Sequence, residues 1–347
     1  MKYQNVAGAL PLGFQLGGYR IDRILGDGSF GIVYLATVAG DGMKYALKEL
    51  YPKSLVTRAE DSSVFVTLEE NRDDLDYMRE MFHAEAKLLS TLRHASFTSY
   101  IDDFTALGTS YLVMKYESGF DLGHYIKNGQ VMSEEEMFAF FIPLLEGLET
   151  LHNNGYIHRD IKPQNIYSAP GNHAVLIDFG AAMKIDTQLS HPPDGIFSDQ
   201  FAPIEQYVND GGMGAWTDIY ALAAVMYYMI TGNKPPHAVK RDEGKQPLIP
   251  LTSMSLEGYN PHFLAAIDAA LAHQVADRTQ SAASFAKQLK QTKIQSLGNS
   301  LLAVTPAEHW WSTQGESGLI TPKRIAFIVL AVLALLLLCA IIVESMS

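Results

Sequence analysis

Between two apolar runs, the ten residues YIHRDIKPQN (156–165) gather His158, Arg159, Asp160, Lys162 and Asn165 into one short segment. Such a cluster holds what phosphoryl transfer needs in one place: Asp160 as the carboxylate that accepts a hydroxyl proton, Lys162 as a cation near the migrating phosphoryl, and Asn165 as a carbonyl-type ligand for Mg²⁺. Thirteen residues beyond Asn165, VLIDFG sets Asp178 at the end of an apolar strand with Gly180 two residues later, which adds a second metal-binding carboxylate. In isolation the same residues also read as an Asp- and Gly-rich hairpin turn. Upstream, GDGSFGIV (Gly26 to Val33) spaces Gly26, Gly28, Gly31 and Val33 as GxGxxGxV between strand-like segments. Glycines there let backbone amides close over phosphates, and a tight hairpin would use them equally. Fifteen residues after Val33, YALKEL puts Lys48 inside an apolar strand. A buried ammonium is costly without anions, which nucleotide phosphates and Glu85 of HAEAKLLSTL could supply, unless Lys48 snorkels to the surface.

Elements able to position these residues are legible in the hydrophobic pattern. Residues 19–50 alternate like strands (YRIDRIL, IVYLATV, KYALKEL) around Gly-rich or Asp-Gly turns, as in an antiparallel meander. DDLDYMREMFHAEAKLLSTLRH follows with apolar residues at helical spacing, and YLVMKY returns to strand. SEEEMFAFFIPLLEGLETLHNNG opens with Ser133 as an N-cap, continues with three glutamates suited to the helix dipole, and closes on Gly155. From there to about residue 292 the pattern is mostly helical. The fold class is therefore α+β, a small antiparallel β lobe followed by a larger helical lobe, with a Gly-, Ser-, Thr- and Pro-containing tether over 293–322.

A chain of 347 residues suits one two-lobed domain of roughly 250 to 280 residues plus extras. The net charge of −12 argues against a general nucleic-acid binder, which would carry a basic face. The single cysteine, Cys339, can form no intrachain disulfide, and no N-terminal apolar stretch resembles a secretory signal, so the globular part is expected in the cytoplasm. IAFIVLAVLALLLLCAIIV, 325–343, is free of charge. At about 1.5 Å per residue it reaches roughly 28 Å, near the thickness of a bilayer core. Lys323 and Arg324 precede it, and by the positive-inside rule they keep the preceding chain cytoplasmic. The expectation is one C-terminal transmembrane helix with no sensing domain beyond it. Trp310 and Trp311 lie shortly before the span and would either dock on the bilayer interface or cover part of the helical lobe.

Taken together, the Gly-rich loop, Lys48, Glu85, HRDIKPQN, DFG, WTDIYALAAVMYYMITG and DRTQSAASF, in this order over about 17–290, resemble a bacterial serine/threonine protein kinase of the eukaryotic (Hanks) type. LPLGFQLGGYRI and ALKELYPKSLVTR further resemble a proteobacterial subfamily. The resemblance implies a two-lobed protein-kinase-like fold over 19–292, with the N-lobe at 19–115, the C-lobe at 118–292 and a lead-in at 1–18. It implies ATP and Mg²⁺ as cofactors and protein substrates including the chain itself, and a bacterial origin together with the apolar span would put the chain at the inner membrane. Asp160 would be the catalytic base, Lys162 the γ-phosphate cation, Lys48 with Glu85 the ion pair of the active state, and Asn165 with Asp178 the Mg²⁺ ligands. Gly26, Gly28, Ser29, Phe30, Gly31, Val33, Ala46, Lys48, Met114, Tyr116 and Asp121 would surround the nucleotide, with Met114 as gatekeeper, the hinge running to Glu117, and Asp121 reaching the ribose. His158 and Phe179 would stack, Asp218 would hold the catalytic-loop backbone, and Glu205 would pair with Arg278.

Departures from the family pattern are few. The APE triplet reads Pro203-Ile204-Glu205, Lys115 stands where the hinge is commonly acidic, Ala223 replaces a common glycine, and Ser198 takes the place of the usual threonine. A pseudokinase scaffold would have lost Lys48, Asp160 or Asp178, and a small-molecule phosphotransferase would lack the segment from Ser198 to Glu205 and its Arg278 partner. Arg159 implies an anion from the activation loop. Asp194 would supply it as a built-in charge in place of phosphorylated Thr187 or Ser190, or would only start the turn of PPDG.

Overall fold

The computed structural model describes residues 6–291 apart from 39, 41, 186–199 and 209–211. Thr187, Ser190, Asp194, Ser198, the tether, Trp310, Trp311, Cys339 and the expected span at 325–343 lie outside the described residues. Among the described residues no helix is long and apolar enough to cross a membrane.

In chain order the small lobe contains β1 (Gln15–Leu16), β2 (Tyr19–Asp27), β3 (Gly31–Val38), β4 (Lys44–Leu50), β5 (Val56–Arg58), β6 (Val64–Val66), helix α1 (Arg72–Thr91), β7 (Tyr100–Ala106) and β8 (Thr109–Lys115). Six of the strands form an antiparallel sheet in the order β1-β2-β3-β4-β8-β7. Alternation along β4 divides its side chains between two cores, as the period of two requires. Ala46 and Leu50 face the core shared with α1 and the helical lobe, while Tyr45 and Leu47 face a second core with Tyr34, Tyr111 and Val113. Lys48 lies on the first of these faces and Glu49 on the second. The lead-in is continuous with the small lobe over its described part: β1 joins the sheet, and Leu10 and Leu16 are buried in the second core. An apolar sheet face must be covered, and these residues help cover it.

The larger lobe contains β9 (Phe120–Asp121), α2 (Leu122–Lys127), α3 (Glu134–Asn153), β10 (Tyr156–Ile157), β11 (Ile166–Ala169), β12 (His173–Leu176), β13 (Met183–Lys184), α4 (Ala215–Thr231), α5 (Ala238–Asp242) and α6 (Pro261–Ala270), with a further helical stretch over 282–291. The start of α3 is a capping box: Ser133 Oγ accepts from the Glu136 N–H at 3.2 Å and Glu136 accepts from the Ser133 N–H at 2.8 Å. Its chain then turns at Gly155, whose φ of 78° suits glycine. Helix α4 is apolar on most faces and buried along almost its whole length, so it is the axis of the lobe. Gly232 ends it in the left-handed conformation, φ 69°. Short strands β10 to β13 lie between α3 and α4 in sequence and carry both polar segments singled out in the sequence.

Candidate active site

The loop between β10 and β11 is fastened from below by the first turn of α4. Asp218 Oδ2 accepts from the His158 N–H at 2.8 Å and from His152 Nε2 at 2.9 Å, and Oδ1 accepts from the Arg159 N–H at 2.8 Å. An ionised carboxylate only accepts, so His152 carries its proton on Nε2. Arg159 has φ 66°, a strained value for a non-glycine residue that persists where neighbours over-determine it. Besides the Asp218 bond, its carbonyl accepts from Gln206 Nε2 at 2.9 Å and its Nε donates to the Ala181 carbonyl at 2.7 Å. That fixed backbone presents Asp160. Lys162 Nζ donates to Asp160 Oδ2 at 2.6 Å and Asn165 Nδ2 to the same oxygen at 3.0 Å. Asp160 Oδ1 is buried with no partner among the described residues, an acceptor that a substrate hydroxyl could satisfy.

A second group gathers from three elements. Lys48 Nζ, from β4, lies 2.8 Å from both carboxylate oxygens of Glu85 on α1 and 2.9 Å from Asp178 Oδ1 just after β12. Burial lowers the Lys48 pKa, and the two carboxylates more than offset it, leaving the ammonium firmly charged. Burial also raises Asp178, but the Lys48 charge and the Gly180 N–H overcome it and hold this carboxyl well below the usual range. For Glu85 burial outweighs the attraction of Lys48, so its carboxyl is raised. One cation shared by two carboxylates thus favours ionisation of Asp178. The Phe179 N–H donates to Glu85 Oε1 at 3.3 Å, and the Phe179 ring packs edge-on against His158, 4.9 Å between centroids, and Phe97 at 5.1 Å.

Asn165 spends both Nδ2 bonds on Asp160, at 2.9 Å to its carbonyl and 3.0 Å to Oδ2, which leaves its carboxamide oxygen as an acceptor. Among the described residues no cluster of three or more His, Cys, Asp or Glu could hold a metal unaided. One carboxylate at Asp178 and one carboxamide oxygen at Asn165 fit Mg²⁺, a hard cation commonly bound by one or two carboxylates with waters and substrate phosphates completing its shell.

The β2–β3 hairpin carries Gly26 near the end of β2, Gly28, Ser29 and Phe30 in the turn, and Gly31 and Val33 at the start of β3, and it is closed by the Gly28 N–H to the Gly31 carbonyl at 2.9 Å. At Gly31 a Cβ would come within 2.0 Å of the Glu49 carbonyl oxygen, so the close approach of β3 to β4 demands glycine. A Cβ at Gly26 or Gly28 would meet nothing within 4 Å, so both glycines border open space. In the sheet register Val33 pairs with Lys48 and Ala46 with Met114. Met114 is buried, Tyr116 accepts from Arg23 Nη2 through its hydroxyl at 3.1 Å, and Lys115 pairs with Glu117 at 3.0 Å. Asp121 caps α2 by accepting from the His124 N–H at 3.0 Å. In the helical lobe Arg278 Nη1 reaches Glu205 Oε1 at 2.6 Å, both side chains buried, with Thr217 Oγ1 at 3.1 Å from the same oxygen.

Sequence reasoning passed over His152, Gln206 and, most of all, Glu49. Glu49 is fully buried, bound by Arg58 Nη2 at 2.7 Å to each oxygen, by Tyr34 Oη at 2.7 Å and by Tyr111 Oη at 2.6 Å. Arg58 Nε also donates to the Gly8 carbonyl at 2.6 Å, and the Leu10 N–H donates to Tyr34 Oη at 3.0 Å, so the lead-in is tied to the strand that carries Lys48.

The protein kinase domain family model matches residues 19–308. The serine/threonine-protein kinase cds1 of Schizosaccharomyces pombe is 32% identical over 62% of this chain and 45% of its own length. The probable serine/threonine-protein kinase PknB of Corynebacterium glutamicum is 28% identical over 78% of this chain and 41% of its own. The chain thus spans less than half the length of these two curated relatives. A solved structure, the apo form of PpkA-294, superposes with a TM-score of 0.73 at 33% identity, over 82% of this chain and 100% of that one. With the family model covering most of the sequence, the chain belongs to the protein kinase domain family.

Proposed function

We propose that this protein is a serine/threonine kinase that transfers the γ-phosphate of ATP to Ser or Thr hydroxyls of proteins, itself included, while anchored to a membrane by residues 325–343. The observation that carries the catalytic part is the placement of Lys48 Nζ between Glu85 and Asp178, at 2.8 and 2.9 Å. A lysine so fixed can hold nucleotide phosphates without losing its charge. Val33 and Ala46 would sandwich the base, Met114 to Glu117 would border it, Asp121 would reach the ribose, and the amides of the Gly26–Gly31 turn would cover the phosphates. Asp160 would take the acceptor hydroxyl's proton on its unpartnered Oδ1, and Lys162 would pair with the migrating phosphoryl, charge placed where the transition state needs it. Mg²⁺ held by Asn165 and Asp178 would neutralise phosphate charge.

Intact Lys48, Asp160 and Asp178 speak against a pseudokinase, and the buried Glu205–Arg278 pair supports a platform for protein rather than small-molecule acceptors. The membrane part rests on the uncharged stretch at 325–343 and the basic pair before it. Purified protein without residues 323–347 should label itself or a generic protein acceptor from Mg-ATP, with phosphate on Ser and Thr only. Full-length protein should resist extraction from membranes by salt or carbonate while the truncated form is soluble. Labelling absent in both forms would refute the kinase reading, and extraction by carbonate would refute the anchor.

A further inference from the structure

On the face of the helical lobe that follows residues 200–202, a groove of about 600 Å³ opens between the end of α4 and the loop after α5. Lys234, Lys240 and Lys245 line it, together with His237, Gln200 and Ile249, and no carboxylate is among its lining residues. Three lysines lining one groove run against a chain whose net charge is −12. Among the described residues neither Lys234 nor Lys240 has an ion-pair partner, and Lys245 meets only Glu243, at 2.9 Å in an exposed pair of the weak kind.

The walls are fixed. Pro235, Pro236 and Pro247 restrict the backbone, and Arg241 anchors α5 to the core through Tyr220 Oη at 2.8 Å and the Leu271 carbonyl at 3.0 Å. His237 is committed to structure, its Nδ1 accepting from the Val239 N–H at 3.2 Å and its Nε2 lying 3.2 Å from Tyr207 Oη. Lys234 Nζ stands 5.9 Å over the ring of Phe201, which ties the basic groove to the segment leading into Pro203 and Glu205. That segment, pinned by Arg278, is the part of the fold assigned above to protein acceptors.

We infer that this groove binds a carboxylate-rich segment of the protein substrate and so selects acceptor sites with acidic residues at a distance from the Ser or Thr. The proposal rests on the kinase reading. A peptide carboxylate can be met by each lysine singly, whereas the regularly spaced phosphates of a nucleic acid call for a longer basic face than three lysines supply. Each exposed ion pair of this type translates into about 1.4- to fivefold in kcat/KM, so three together give at least about threefold, carried by KM.

An oriented peptide library with one acceptor serine, presented to the wild-type chain and to Lys234→Glu/Lys240→Glu/Lys245→Glu, tests it. Wild type should select Asp or Glu at one or more fixed positions by at least about threefold, a preference that salt weakens. The variant should lose that selection and favour Lys or Arg at the same positions. Should the variant fail to fold by thermal melting, the salt dependence in wild type decides, and Lys→Gln replacements provide the second variant. Transfer to a generic protein without acidic selection, or acidic selection unchanged in the variants, overturns the groove assignment alone. Absence of all transfer by wild type instead overturns the kinase reading beneath it.

Discussion

Lys48 Nζ sits equidistant, at 2.8 Å, from both carboxylate oxygens of Glu85. Glu85 also accepts the Phe179 N–H at 3.3 Å, so one carboxylate sets the position of α1, of the β4 lysine and of the segment that carries Asp178. Glu85→Gln keeps the volume and removes the charge. We expect kcat/KM for Mg-ATP to fall by about 10²-fold, the cost of roughly 1 Å of misplacement at a reacting centre. Steady-state kinetics on a protein acceptor, with circular dichroism to check folding, would show this. A change under twofold would contradict the assigned role.

The Glu49–Arg58 pair is a buried charge pair with both partners saturated. Arg58→Met leaves an unpaired carboxylate and should cost about 3–5 kcal/mol in urea unfolding. Adding Glu49→Gln removes that charge while its carboxamide keeps an acceptor oxygen for one of Tyr34 and Tyr111 and offers an N–H to the hydroxyl oxygen of the other, so the double variant should be more stable than Arg58→Met alone. Equal stability of single and double variants would count against an uncompensated charge as the cause.

Burial holds the His158 imidazole below its ordinary pKa, so the folded protein keeps this ring neutral while the unfolded chain takes up a proton. Its contribution to stability is therefore fully present above about pH 6.5 and is lost as pH falls from there toward the depressed folded-state value. His94, half-buried, is shifted the same way. The lowered carboxyls of Asp178 and Asp218 act in a more acid window, below about pH 3.9. Urea unfolding from pH 7.5 to 5 should show stability declining with acidity, and His158→Phe, which keeps a ring against Phe179, should flatten that slope by up to about 1.4 kcal/mol per pH unit. An unchanged slope would assign the acid sensitivity elsewhere.

Legibility followed local chemistry. HRDIKPQN and DFG each hold their polar residues within a few positions, so the loop around Asp160 and the pair of candidate Mg²⁺ ligands could be read from the letters, as could the Ser133 cap and the strands around Lys48. Glu85 could be proposed as an anion for the buried Lys48, whereas Asp218 and Arg278 carry no local signature of their roles and came from the family resemblance. Glu49 was illegible because on an alternating strand a glutamate beside Lys48 reads as solvent-facing. It is buried only because Arg58, Tyr34, Tyr111 and the lead-in, all distant in sequence, close over that face. The basic groove was hidden for the same reason: Lys234, Lys240 and Lys245 are scattered among prolines and become one surface only when α5 folds back on α4.

The most direct test of the account is the rate of phosphate transfer from Mg-ATP to a protein Ser or Thr by wild type and Asp160→Asn, measured with nucleotide affinity in parallel. Asparagine keeps the contacts of Lys162 and Asn165 to the side chain's oxygen but cannot accept a proton from the acceptor hydroxyl. The account predicts a loss of about 10²- to 10⁴-fold in transfer with nucleotide binding little changed. Transfer by Asp160→Asn at a rate near that of wild type would contradict it.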